Sequence, residues 1–115
     1  MRTNFNMQDQ YITMVRGDTV SFGMEIEDQD GLPFNIDTAF FTCKKNCDDT
    51  ESVFQKSMNH GITKAGDGQY IVRIAPEDTH NIEVGKYFYD VQVGAINDVY
   101  TIMRGVLEIE QNVTD

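Results

Sequence analysis

Apolar and polar residues alternate along most of this chain, and the alternation stops at turn residues. Residues 19–26 are the clearest case. Val20, Phe22, Met24 and Ile26 fall on one side, and Thr19, Ser21, Gly23 and Glu25 on the other. A period of two over eight residues predicts a half-buried antiparallel strand. Residues 11–16 form a β-rich run that ends at the turn pair Gly17-Asp18. Residues 27–33 read as a turn, with Asp30-Gly31 as its tightest signal.

The pattern continues downstream. Residues 39–45 predict a third strand, with Phe41 and Cys43 alternating against Phe40 and Thr42. Residues 46–50 are polar and loop-like, and residues 52–58 predict a short fourth strand. Residues 59–68 hold three glycines with Asn59, His60 and Asp67, which predicts a loop. Residues 69–74 predict a fifth strand, with Tyr70, Val72 and Ile74 on one face. Residues 75–79 then predict one helical turn, because Pro76 sits early and Glu77 and Asp78 sit at its positive end. Residues 85–93 and 98–110 are the sixth and seventh strands. The alternation shifts near Gly105, which predicts a bulge there. About seven short strands without a long helix predict an all-β sandwich or small barrel. Residues 1–10 are expected to be a flexible segment and residues 11–115 one domain.

Composition narrows the function. The chain has 115 residues, and nineteen acids against nine bases leave a net charge of −10. That argues against nucleic acid, whose phosphates need clustered Lys and Arg, and against an anionic membrane. No stretch is long and apolar enough for a transmembrane helix. The start, Met1-Arg2-Thr3-Asn4-Phe5-Asn6, lacks the apolar core of a secretory signal.

Side chains with reactive chemistry are few. His60 and His80 lie in predicted polar loops, outside any nucleophile motif, and read as solvated loop histidines. No pair of carboxylates stands out among nineteen acids. Cys43 and Cys47 would lie about 13 Å apart on one strand, too far for a disulfide, although a turn after Lys45 could bring them together. Zinc would need two further ligands. Asp28-Gln29-Asp30-Gly31 resembles the start of a calcium loop, but position 12 of an EF-hand would be Ala39 and Pro33 falls inside. Arg16-Gly17-Asp18 spells an adhesion tripeptide, and its plain reading is a turn. The chain is therefore expected to be no enzyme and to have no catalytic, cofactor or metal residues.

Residues 81–91 carry the most topological information. A small turn with Gly85, followed by Tyr87 entering a strand, is how immunoglobulin-like sandwiches begin their sixth strand, with a tyrosine hydroxyl tying the corner to upstream backbone. Gly85 and Tyr87 are the candidate structural corner; the alternative is an ordinary strand with buried aromatics. Antibody-type Cys-Trp-Cys spacing is missing. One aromatic set should be core and the other exposed. Tyr87, Tyr89 and Phe41 are expected inside, and Phe40 and Phe88 are the interface candidates.

Several segments resemble small tail and baseplate-associated proteins of phages and prophages in Firmicutes. They are Arg16-Gly17-Asp18-Thr19 followed by Phe22 and Glu25-Ile26, then Phe41-Thr42-Cys43-Lys44-Lys45 and Val53-Phe54-Gln55-Lys56-Ser57. Further on come Val72 to Thr79, Gly85 to Gln92, and Gly105 to Glu110. Their order is similar to the immunoglobulin-like N-terminal domain of baseplate upper proteins. The resemblance covers residues 11–114. It implies an immunoglobulin-like β-sandwich of about seven strands, made in the bacterial cytoplasm and built into a virion. It also implies a non-catalytic structural role through protein–protein docking, with other phage structural proteins or copies of itself as partners and no cofactor. The alternative expectation is a carbohydrate or host-surface binding module, working through exposed aromatics.

Overall fold

The computed structural model describes the backbone of residues 3–5 and residues 10–113 in full. Nine strands and one helical turn follow in order: β1 (Thr3–Phe5), β2 (Gln10–Val15), β3 (Val20–Asp28), β4 (Thr38–Lys44), β5 (Phe54–Met58), β6 (Gly61–Gly66), β7 (Gln69–Ile74), α1 (Pro76–Thr79), β8 (Gly85–Ala95) and β9 (Asp98–Glu110). All seven segments predicted from alternation are strands. The helical turn is also where the proline and the acids put it.

Two differences have physical causes. Residues 61–66, expected as loop, form β6. Its one core residue, Ile62, is fully buried, but glycines at both ends hide the strand signal. The bulge expected at Gly105 lies instead at Ile102. Val91 pairs with Met103 and Gln92 with Thr101, so Ile102 is the extra residue, and both Ile102 and Met103 turn inward. The expected flexible stretch 1–10 lies mostly outside the described residues. Within it, Thr3–Phe5 pairs antiparallel with β3, and Gln10 already belongs to β2.

Strand order is β1-β3-β7-β6-β5-β4-β8-β9-β2. This row folds into two layers. The back layer is β1-β3-β7-β6 and the front layer is β5-β4-β8-β9-β2. Between β5 and β6 the chain steps across at Asn59-His60, leaving only two parallel pairs, Ser57 with Gly61 and Met58 with Ile62. The remaining parallel contact is β2 against β9. The N-terminal segment thus contributes the outer strand of both layers. A strand order of this kind, with a tyrosine corner before β8, is an immunoglobulin-like β-sandwich.

The core lies between the layers, as inward-facing residues of two aligned sheets require. Phe41 is its centre. Its ring stacks on Tyr89 at 5.1 Å and on Phe54 at 5.9 Å, and meets Phe22 of the back layer at 6.0 Å. Tyr70, Val72 and Ile74 of β7 and Leu107 and Ile109 of β9 complete it. The Tyr70 hydroxyl is buried and accepts the Ile36 N–H at 2.9 Å, which keeps that polar end satisfied.

The end of the sandwich near β2 and α1 is tied by polar bonds. Arg16 donates to the Ile82 carbonyl and to Asn112 Oδ1. Gly17 N–H donates to the buried Thr79 hydroxyl at 2.8 Å. The Arg16-Gly17-Asp18 tripeptide is thus a structural turn, with its guanidinium engaged in the fold.

Candidate functional site

Alternation puts every second residue of the front layer on its outer surface, and register lines those residues up in rows. Three rows cross β4, β8 and β9, and a fourth crosses β8 and β9 alone. In the first, Phe40 lies beside Gln92, which lies beside Thr101. In the second, Thr42, Asp90 and Arg104 adjoin, and Gln55 of β5 joins them by donating to Thr42 Oγ1 at 2.9 Å. In the third, Lys44, Phe88 and Val106 adjoin, with Tyr11 of β2 next to Val106. In the fourth, Lys86 faces Glu108.

Phe40 and Phe88 are 40% and 41% exposed, while Phe41, Tyr87 and Tyr89 are buried. Both interface candidates therefore lie on this outer surface. They do not touch as a pair. Phe40 sits in the first row and Phe88 in the third, roughly 13 Å apart by strand rise. Val106 and Tyr11 extend the apolar ground beside Phe88. Sequence reading missed these two because nothing local shows that β2 lies parallel to β9.

A shallow, open groove of about 890 Å³ runs along this surface. Its floor includes Phe88, Asp90 and Arg104, and its wall is the β4–β5 loop with Cys47, Thr50 and Ser52. The floor is mixed in character. Burial pushes the Asp90 carboxyl above the ordinary carboxylate range, and the Lys44 charge pulls it partly back. Asp90 forms no ion pair among the described residues. At the far edge the Tyr11 hydroxyl donates to Glu108, and this bond raises the Tyr11 pKa. The Lys86 ammonium lies 6.0 Å from the Tyr11 ring centre.

The corner candidates fall where they were expected. The Tyr87 hydroxyl donates to the Glu83 carbonyl at 2.5 Å. Gly85 has φ +140, a conformation open to glycine, and Lys45 lies over the Tyr87 ring at 4.7 Å. This is structural work at the base of β8, and it sets the direction in which Phe88 points.

The remaining chemistry is dispersed. Cys43 is buried and Cys47 exposed, and both are free thiols. Burial pushes the Cys43 thiol up to about 12. Asp28 accepts the N–H groups of Asp30 and Leu32, so its carboxylate closes the turn before β4. Among the described residues no three His, Cys, Asp or Glu side chains come together as a metal site. His60 and His80 are exposed, and neither lines the groove.

No family model matches the chain, and no curated protein does. Among solved structures, titin domain M7 aligns with 95% of this chain and 94% of its own, at TM-score 0.48 and 15% identity. The N-terminal Ig1-2 module of the Drosophila receptor protein tyrosine phosphatase DLAR aligns with 99% of this chain at TM-score 0.48 and 17% identity. The chain spans about half of that module, 52%.

Proposed function

We propose that this domain is a non-catalytic docking module, and that it docks through the outer surface of β4, β8 and β9. The observation that carries the reading is the placement of Phe88 with Val106 and Tyr11. An aromatic that alternation turns away from the core is costly to leave in water, at about 25 cal/mol per Å² of apolar area. Aromatics flanked by hydrogen-bonding and charged groups are the usual make-up of interface centres. Here Thr42, Gln55, Gln92 and Arg104 supply that surround.

The setting we propose is a phage or prophage virion, with other structural subunits as partners. That part rests on the resemblance of the sequence segments. Catalysis is no part of the proposal, because the two histidines stand away from the groove and, among the described residues, no nucleophile is paired with them.

A matched pair of variants tests the reading. Phe88 on the front and Ile71 on the back are 41% and 40% exposed. The tagged chain is expressed in cells producing the particles, and particles are purified and assayed for the tag. F88K should abolish incorporation and I71K should preserve it. Incorporation of F88K at the unmodified level would sink the docking face. Absence of the unmodified chain from particles would sink the virion setting.

The groove also favours a second reading, carbohydrate binding at the host surface, since the Phe88 ring adjoins Asp90, Gln92 and Arg104 in one open cleft. Silence on a glycan array, with and without calcium, would remove it.

A further inference from the structure

The rows of the front surface have a property that their members do not show singly. Across the β8–β9 boundary four outward pairs are each complementary to themselves when their two members are exchanged. Lys86 adjoins Glu108, Phe88 adjoins Val106, Asp90 adjoins Arg104, and Gln92 adjoins Thr101. A two-fold axis lying in the surface, parallel to the strands and between β8 and β9, exchanges these members between two copies. Each cation then meets a carboxylate, each apolar group an apolar one, and each neutral polar group its like.

We infer that the subunit docked on this surface is a second copy of the same chain, related by that axis. The inference rests on the docking reading above and names its partner. In the dimer Asp90 meets the partner's Arg104, and Lys86 meets the partner's Glu108. Phe88 packs on the partner's Val106. The partner's Tyr11 comes over Lys44, beside the wall formed by the β4–β5 loop. Strands of the two copies run in nearly the same direction, which aligned packing of twisted sheets allows within about 30°.

Charge supports a second copy over other occupants. The chain as a whole carries −10, so most approaches of one copy to another are repulsive. On this surface the charges balance. The cations Lys44, Lys86 and Arg104 balance the carboxylates Asp90, Glu108 and Glu110 on the outward positions of β4, β8 and β9. Asp90, half-buried and already near the Lys44 charge, gains a further countercharge in the dimer from the partner's Arg104. Two-fold contacts of one patch with itself are the commonest form of self-association.

The contact is modest in size. Strands β4, β8, β9 and β2 at roughly 4.8 Å spacing, and the span from Lys86 to Gly94 at roughly 3.4 Å per residue, make about 500 Å² in projection. Stable interfaces bury about 800 Å² per partner, so association is weak and needs high concentration.

Sedimentation equilibrium up to about 1 mM chain, in about 0.15 M salt, tests it. The unmodified chain should pass from monomer to dimer mass. D90R alone and R104D alone should stay monomeric, because each sets like charges against each other across the axis. An equimolar mixture of the two should recover the dimer, since opposite charges then meet at both positions. Thermal melts confirm that each variant folds. Should either fail to, F88K on an exposed position takes its place and should also stay monomeric. A monomer throughout for the unmodified chain, a dimer indifferent to these variants, or a mixture of folded charge variants that remains monomeric would overturn the inference. None of these outcomes bears on incorporation of the chain into particles, which is read separately with F88K and I71K.

Discussion

Tyr87 shows how much one hydroxyl can organise. Its bond to Glu83 closes the turn from which β8 rises, and burial pushes the phenol above its ordinary pKa. Tyr87→Phe keeps the ring and removes the donor, so it should cost about 1 kcal/mol in urea unfolding. The corner was legible in the sequence because it is local, with donor and acceptor four residues apart. Gly105 was not. An added Cβ there would lie 2.0 Å from the Gln10 carbonyl oxygen, the same oxygen that accepts the Tyr89 hydroxyl at 2.7 Å. The glycine exists for a contact with a strand far away in the chain, and its neighbours alone made it look like a bulge. Asp90 makes a residue-scale prediction of its own. Burial raises its folded pKa, so the folded chain holds that proton more tightly than the unfolded one. Stability contributed by the protonated form is therefore lost as pH rises from the unfolded value of about 3.9 through the folded value. Urea unfolding of the isolated chain across about pH 3.5–6 should show a falling component that D90N lacks.

At the scale of elements, hairpins and corners decide what the strands present. The β8–β9 hairpin turns at Ile96, which has φ +58 and is 82% exposed. A β-branched residue in the left-handed region is strained by about 1–2 kcal/mol, and glycine would remove the strain at some entropic cost. I96G should therefore stabilise the fold by roughly 0.5–1 kcal/mol in thermal or urea melts. The opposite end is held by a part-buried ion pair. Asp78 accepts the Ala75 N–H at 2.7 Å and pairs with Lys56 of β5 at 2.9 Å, joining α1 to the edge of the front layer. D78A leaves both donors without their acceptor and should cost about 2–3 kcal/mol. Strand alternation was readable for seven elements because each packs two or more apolar residues, buried or partly buried, against the core on one side, as Ile12 and Met14 do in β2 and Phe54 and Met58 in β5. β6 buries only Ile62, and a single buried residue makes no period.

The whole molecule combines a sequestered core with one surface of mixed apolar and charged rows on an otherwise acidic body. The assignment of Phe40 and Phe88 to the outside was legible from alternation alone. Their membership in rows, Phe40 with Gln92 and Thr101 and Phe88 with Lys44 and Val106, was not, because register between strands is set by contacts distant in sequence. The same layering predicts thiol behaviour. An aromatic disulfide reagent should modify one cysteine, the exposed Cys47, and reach Cys43 only on unfolding, since burial raises its pKa to about 12.

The central claim is that the chain works through the outer surface of β4, β8 and β9. Hydroxyl-radical footprinting of the chain, isolated at low concentration and in purified particles, tests it most directly. The account predicts that Phe88, Phe40 and Tyr11 are oxidised in the isolated chain and protected in the assembled one, while Ile71 on the back is oxidised equally in both. Protection confined to Ile71 and its neighbours, or no change at Phe88, would contradict it.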